Sequence, residues 1–433
     1  MNGPATQAPD KEDQAAVAAL RARGIQVADI QALARDQSPF ARRTTPSSWS
    51  LAPGVTLTAR TAELGEGCFT NVFTLAVNLD QAQCRAVSSP AGFHLRDLVR
   101  GDAVAAGSGS FSYISDDPAY QPAEPCLDLA IRDGQVASLP TITKPALLIH
   151  RGRPLVRTLA ATGTLTIAGR THIWTGSKER HPPSQSGHLT VFGAANCRVR
   201  YRDDPRTGFL RDVDPATNTT PRDPDALDCT VTSTGTGLRV AAVHPGGGAD
   251  LFAGAFILRA HRPWPTHLIV GALVGVTSVD THHVRDLESA LSLGPSAAEA
   301  SAGRTRAWDQ SLGTSPFRPA SRYPRTLLAL HDDHLQLTVF DGAPLTSTFQ
   351  GTTTHETAEL CAQAGLDPSQ VFHLDGGQTS KIAYTRHHQE PDVVGSLHYL
   401  QWPATADAPF RWRGLEGRLL RSALLITAPK ETR

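Results

Sequence analysis

The segment from Val371 to Ala383, VFHLDGGQTSKIA, holds the densest set of residues able to do chemistry. A short apolar run ends at Asp375, and two glycines, Gly376 and Gly377, follow it. Glycine accepts backbone angles that a side chain forbids, so successive N–H groups of such a turn can converge on an anion. The pattern predicts a strand that presents a carboxylate beside a polar turn, although Asp-Gly is also typical of a plain hairpin turn. Three further polar residues of the turn are candidate substrate ligands: Gln378, Thr379 and Ser380.

Two upstream segments supply groups that could complete such a site. The sequence YPRT at 323–326 places Arg325 before an apolar run, and the planar guanidinium can hold two phosphate oxygens at once. A Gly-Thr-rich helix start brings Thr353 and Thr354, which could bind a phosphate or sugar hydroxyl or only cap the helix. Glu356 is a candidate second catalytic carboxylate, and its position also suits a capping group.

Two more residues are candidates for the same chemistry. His373 precedes Asp375 by two residues, so strand alternation turns both to one face and gives the histidine a role beside the substrate. Asp341, followed by glycine, is either another carboxylate or part of a turn. No histidine spacing matches a known metal motif, whereas Asp341 and Asp375 with backbone oxygens could hold Ca²⁺ or Mg²⁺. No other cofactor is expected.

The order of these motifs resembles the phosphodiester glycosidase family. Arg-Thr, a strand hairpin ending in Asp-Gly, a Gly-Thr helix start with Glu, and a strand ending in Leu-Asp-Gly-Gly follow one another within 322–383. A weaker similarity extends over 52–402. Ser108, with Gly109, stands where the family has Asn-Gly-Gly-Phe-Phe, and a hydroxyl reaches less far than the family's amide.

The resemblance implies a hydrolase that cleaves the glycosidic C–O bond between a sugar and a phosphate, within bacterial metabolite biosynthesis. Its catalytic residues would be Asp375, Glu356 and Arg325, with Ser108 and Gly109 among the substrate ligands. The leaving phosphate monoester has a second pKa of about 6 and needs little protonation, so stabilising its charge matters most. Two alternatives stay open: a metal-dependent phosphodiesterase that cleaves the P–O bond, and a sugar-phosphate-binding protein without catalysis, for which Ser108 is the main argument.

The elements that must position these residues are mostly strands. Short runs rich in Val, Ile, Thr and Phe, such as VTLTART, NVFTLAVNL, ALLIHRG, HLTVFGAA and FILRAH, alternate with Gly, Pro, Asn and Asp. Helices are predicted at FHLRDLVRG, DLESALSLG and TTTHETAELCAQAG, with long loops at 202–225 and 294–323. We therefore predict an α+β protein with a large mixed or antiparallel sheet and a few packed helices. A tail and helical appendage would occupy 1–50, and the catalytic domain 51–433.

Composition narrows the partners. The 41 basic side chains balance the 41 acidic ones, so no long-range field favours nucleic acid or an anionic membrane. The expected partner is a small sugar-phosphate molecule, and the sequence does not indicate an oligomeric state. Six scattered cysteines form no metal motif and are expected to be buried free thiols. Without a leader pattern or a long apolar run, a cytoplasmic location is predicted.

Overall fold

The computed structural model describes residues 42–43, 45–113, 121–179, 187–202, 210–305, 322–342, 349–386, 390–396, 399–401, 411–413 and 419–428. Two α-helices lie within them, α1 (Ala297–Ser301) and α2 (Thr354–Gln363). The strands of the first half are β1 (Ser47–Ala52), β2 (Val55–Glu63), β3 (Phe69–Asn78), β4 (Gln83–Phe93), β5 (Ala103–Ser108), β6 (Ala130–Arg132), β7 (Gln135–Ser138), β8 (Lys144–His150), β9 (Arg153–Leu159), β10 (Thr162–Ile167), β11 (Arg170–Gly176), β12 (His188–Phe192), β13 (Val199–Arg202) and β14 (Leu210–Val213). Those of the second half are β15 (Arg222–Thr234), β16 (Gly237–Gly247), β17 (Phe256–His261), β18 (Leu273–Val279), β19 (His282–His283), β20 (Ser289–Ser292), β21 (Arg325–His331), β22 (His334–Phe340), β23 (Val371–His373), β24 (Lys381–Tyr384), β25 (Asp392–Gly395), β26 (Tyr399–Gln401), β27 (Arg411–Arg413) and β28 (Leu420–Thr427).

Four sheets of five or more strands organise the described chain. Sheet I has the order β1-β2-β3-β22-β21-β23, sheet III the order β7-β6-β20-β8-β9, and sheet IV the order β25-β24-β5-β28-β4. Sheet II runs β10-β11-β12-β17-β15-β16-β18, and β18 pairs back onto β10, so it closes into a barrel with β19 attached to β18. Within the described ladders, β11 and β12 pair in parallel and the others are antiparallel.

Sheet III is the middle layer of the molecule. On β8, Leu147 and Ile149 enter the core shared with sheets I and IV, whereas Ala146 and Leu148 enter the core of the barrel. A strand buried on both faces must be apolar at successive positions, which explains the unbroken run in this segment. Sheets I and IV therefore pack on one face of sheet III, and the barrel packs on its other face.

The predicted α+β class is wrong. The described part of the chain is β-rich, with 53 per cent of its residues in strands and 12 per cent in helices. DLESALSLG forms strand β20 instead of a helix, because Ala290 and Leu291 face the two opposite cores of sheet III. FHLRDLVRG contains only the short 3-10 helix Leu95–Leu98.

Other expectations have mixed outcomes. The helix in TTTHETAELCAQAG is confirmed as α2, and all six cysteines are free and buried. The helical appendage predicted within 1–50 lies largely outside the described residues; β1 already begins at Ser47, and residues 203–209 and 306–321 of the predicted loops also lie outside them. None of the helices in the described segments is long and apolar enough to cross a membrane.

Candidate functional site

The end of the β21–β23 ladder brings the predicted arginine and aspartate together. Leu327 lies opposite His373 in this ladder. The N–H of Leu374 donates to the carbonyl of Thr326 at 2.9 Å. Continued by two residues beyond the last printed pair, the same register leads to Arg325 and Asp375, and the N–H of Gly377 donates to the carbonyl of Pro324 just past them. Facing side chains of antiparallel strands have Cβ atoms about 4.5–5.5 Å apart and lie on one side of the sheet. The backbones of Arg325 and Asp375, 50 positions apart, thus approach each other at the edge of sheet I.

Asp375 is anchored on both sides. Its N–H donates to the carbonyl of Gly109 at 2.9 Å, and its Oδ1 accepts the N–H of Gly376 at 3.0 Å. A methyl group on Gly109 would come within 2.7 Å of Ser422 and of Ala423, so only glycine fits at this contact. The carboxylate stays half-buried. The strand exit after β5 therefore fixes the position of the candidate catalytic group.

The Gly-Gly turn uses much of its hydrogen-bonding capacity within the protein. Gly377 has φ +67° and donates its N–H to the carbonyl of Pro324 at 2.7 Å. A methyl group there would lie 2.8 Å from the ring of Tyr323. Thr379 donates its hydroxyl to the carbonyl of Gly376 at 2.8 Å, and Gln378 is half-buried in the same 3-10 turn. The N–H groups of both glycines are thus engaged within the protein and do not converge on an anion as the sequence pattern predicted.

Arg325 is a buried cation beside this turn. Its side chain is 4% exposed, and its Nε donates to the carbonyl of Thr352 at 3.0 Å. Burial lowers its pKa to about 10, while Tyr323 and Glu356 oppose that shift. The guanidinium is therefore charged at neutral pH. Because little water surrounds it, its field on a bound anion is stronger than that of an exposed arginine.

Glu356 is bound into the start of helix α2. Thr353 accepts the N–H of Glu356 at 3.1 Å through its hydroxyl, and the Glu356 carboxylate accepts the N–H of Thr353 at 2.9 Å. Arg322 adds an ion pair at 2.6 Å. Burial raises the pKa of Glu356, but the Thr353 N–H and Arg322 outweigh it and leave the pKa below its usual value. These contacts favour the capping interpretation for Glu356 and Thr353. The carboxylate of Glu356 occupies the N–H of Thr353 at the helix start, where the sequence predicted a bound anion.

Three buried hydroxyls near the site differ from Ser108. The Ser108 hydroxyl accepts the N–H of Lys381 at 3.3 Å and donates to the carbonyl of Thr379, so it ties β5 to β24. In the described part of the chain, the hydroxyls of Ser110, Ser380 and Thr354 are buried and have no hydrogen-bond partner.

Ser110 and Ser380 lie next to the groups that position Asp375. Ser110 follows Gly109 directly, and the Ser380 hydroxyl is 3.9 Å from where a methyl group on Gly376 would be. An unpaired buried hydroxyl costs about 1–3 kcal/mol, part of which a hydrogen bond to a ligand would recover. Ser110 was not among the residues predicted from the sequence; its place two residues after Ser108 was the available signal.

His373 and Asp341 are both buried, for different reasons. Burial, and then the charge of Arg325, hold the pKa of His373 well below its usual value, so this imidazole is neutral at pH 7. Asp341 is 1% exposed and its Oδ1 accepts the Ser396 hydroxyl at 2.9 Å and the N–H of Gly342 at 2.7 Å. Burial raises its pKa to about 7, against the effect of these two bonds and Arg43. This carboxylate connects the end of β22 in sheet I to Ser396, which follows β25 in sheet IV.

No group of three or more His, Cys, Asp or Glu side chains suited to a metal ion occurs within the residues that the structure describes. The Ca²⁺ or Mg²⁺ ion expected at Asp341 and Asp375 therefore stays a prediction.

Comparison with known proteins gives a fold and no function. No family model and no curated protein matches the sequence. A hypothetical protein from Synechocystis is similar over 89% of this chain with TM-score 0.51 and 14% identity, and this chain covers 64% of its length. A chain named "Putative exported protein" from Burkholderia pseudomallei is similar over 84% of this chain and 75% of its own, with TM-score 0.50 and 19% identity.

A third structure is more distant. The zebrafish N-acetylglucosamine-1-phosphodiester alpha-N-acetylglucosaminidase catalytic domain, auto-inhibited by its pro-peptide, aligns over 89% of each chain with TM-score 0.38 and 10% identity. That score is too low to support a shared fold. The two higher scores show a shared architecture alone.

Proposed function

We propose that this protein is a hydrolase that cleaves the C–O bond between a sugar and a phosphate. The observation that carries the proposal is the approach of the Asp375 and Arg325 backbones at one ladder end, beside two buried hydroxyls without partners in the described chain. The motif order that resembles the phosphodiester glycosidases spans the same residues. Substrate identity, catalytic roles and metal use are part of this proposal.

Arg325 takes the phosphate in this scheme. A sugar-phosphate diester leaves as a phosphate monoester whose second pKa is about 6, so its departure depends on charge stabilisation more than on a proton donor. A desolvated guanidinium can bind two phosphate oxygens through parallel hydrogen bonds. The Ser380 hydroxyl, 3.9 Å from where a methyl group on Gly376 would be, would donate a further hydrogen bond to the phosphate. Because the leaving phosphate needs little protonation, no general acid is required. Glu356 can therefore remain bound to Thr353 and Arg322 at the start of α2.

Asp375 acts at the anomeric carbon. Cleavage of the C–O bond passes through an oxocarbenium-like state, which a carboxylate stabilises by attacking or by activating water. Asp375 is half-buried and is held at its N–H by Gly109 and at Oδ1 by Gly376, so the orientation of its carboxylate is fixed. Ser110, one residue after Gly109, is placed to bind a sugar hydroxyl or phosphate oxygen.

The test is turnover of a substrate panel. The purified chain is incubated with UDP-sugars, sugar-1-phosphodiesters and nucleotides, with and without EDTA, and the products are identified by mass spectrometry. We expect a free sugar together with an intact phosphate monoester. Loss of turnover in EDTA would assign a metal to the site, and no turnover of any panel member would contradict the proposed function.

Matched variants assign the residues. Asp375→Asn should lower kcat/KM by about 10³-fold, since it removes the charge that the oxocarbenium-like state requires. Asp332→Asn is the control, because Asp332 sits in the exposed β21–β22 turn at φ +49°, which asparagine accepts. Arg325→Lys keeps the charge but loses the two-pronged contact, so kcat/KM should fall, whereas the exposed Arg153→Lys should leave it unchanged. Equal activity of Asp375→Asn and Asp332→Asn would exclude Asp375 from catalysis.

A further inference from the structure

We propose that His172 and His267 form a binding site for a divalent transition-metal ion of the Zn²⁺ class at one end of the barrel. His172 lies on β11, and His267 lies in the connection between β17 and β18, 95 positions later in the chain. Their Nε2 atoms are 2.7 Å apart, with ring centroids 4.9 Å apart. The two rings therefore form a hydrogen bond, away from the Asp375 site, and a metal ion would take the place of its hydrogen.

The contacts of His172 prepare it as a ligand. Its Nδ1 lies 3.3 Å from the carbonyl oxygen of Gly187. A carbonyl only accepts, so Nδ1 carries the hydrogen and Nε2 presents its lone pair toward His267. A backbone carbonyl on the second ring nitrogen is the arrangement that orients metal-bound histidines and raises their basicity.

His267 completes the pair. Metal binding requires both imidazoles to be unprotonated. Since Nε2 of His172 is the acceptor, Nε2 of His267 carries the hydrogen of the bond between them, and metal binding moves that hydrogen to Nδ1, which has no hydrogen-bond partner among the described residues. The residue as a whole is half-exposed, so an ion can reach the pair from solvent.

The geometry needs a small adjustment. Two nitrogens at about 2.0–2.1 Å from a tetrahedral ion are about 3.3 Å apart, so the rings must separate by about 0.6 Å. His267 lies in a connection between strands and can supply this shift, while His172 stays fixed in its strand. Imidazole ligands suit Zn²⁺, Cu²⁺ and Ni²⁺ better than Ca²⁺ or Mg²⁺. Water would fill the remaining positions, because the two histidines are the protein ligands assigned here.

Titration calorimetry with ZnCl₂ and NiCl₂ tests the site on the metal-free chain. The wild-type protein and the exposed-histidine control His334→Gln should bind with the same affinity. His172→Gln and His267→Gln should each weaken that binding event by at least about tenfold. Zn²⁺ should also raise the melting temperature of the wild type and the control and not that of the two variants.

Two outcomes would overturn the proposal. One is no saturable binding to the wild type up to about 1 mM metal, where a site of this kind would stabilise the fold measurably. The other is unchanged affinity in His267→Gln. That variant decides the question even if His172→Gln, at a position 7% exposed, does not fold.

Discussion

Replacing Ser110 and Ser108 separately by alanine should have opposite effects on stability. The Ser110 hydroxyl is buried and has no partner in the described chain, so its removal relieves a desolvation cost of about 1–3 kcal/mol. The Ser108 hydroxyl accepts the N–H of Lys381 and donates to the carbonyl of Thr379. Its removal leaves both buried groups without that bond, at a similar cost of about 1–3 kcal/mol.

Urea unfolding followed by circular dichroism measures this difference. We expect the free energy of unfolding to rise by about 1 kcal/mol in Ser110→Ala and to fall by about 1–3 kcal/mol in Ser108→Ala. Turnover should behave differently: Ser110→Ala loses a hydrogen bond to the substrate, so kcat/KM should fall about tenfold, the equivalent of about 1.4 kcal/mol. Equal destabilisation by the two variants would refute the reasoning, because the Ser110 hydroxyl would then have a partner in the folded protein.

Two further predictions concern the buried acid and the Gly-Gly turn. Because the pKa of Asp341 rises from 3.8 to about 7 on folding, the folded state holds a proton that the unfolded state releases. Asp341 therefore leaves the free energy of unfolding unchanged below pH 4. Between pH 4 and pH 7 its ionisation lowers that free energy, by up to about 4 kcal/mol. Asp341→Asn keeps an Oδ1 acceptor and should flatten that decline in urea unfolding at pH 5 and pH 8; an equally steep decline in the variant would show that other groups cause it. Gly377→Ala should destabilise more than Gly365→Ala, as both glycines have positive φ but only the first would push a methyl group against Tyr323. Equal losses in a thermal melt would mean that backbone strain alone matters.

Local patterns predicted the individual strands of the site, because they are short-range properties. The apolar run before Asp375, the hairpin of β21 and β22 and the helix at Thr354 all follow from spacing and capping residues. The approach of the Arg325 and Asp375 segments could be expected only through the resemblance, since it depends on the register between strands about 50 positions apart.

The barrel and sheet III could not be predicted from the sequence, because they too depend on pairing between distant strands. Closure of β18 onto β10 joins residues more than 100 positions apart, and no local pattern marks it. The segment around Ala290 and Leu291 has apolar spacing compatible with a helix, and burial on both faces decided in favour of a strand. The roles of Ser108 and Ser110 were likewise hidden, because two hydroxyls two residues apart differ only in what packs around them.

Hydrolysis in ¹⁸O-labelled water tests the central claim most directly. The proposed attack at the anomeric carbon, assisted by Asp375, places the label in the released sugar and leaves the phosphate monoester unlabelled. Label in the phosphate would mean that the P–O bond is cleaved. That result would contradict the account and support the metal-dependent phosphodiesterase.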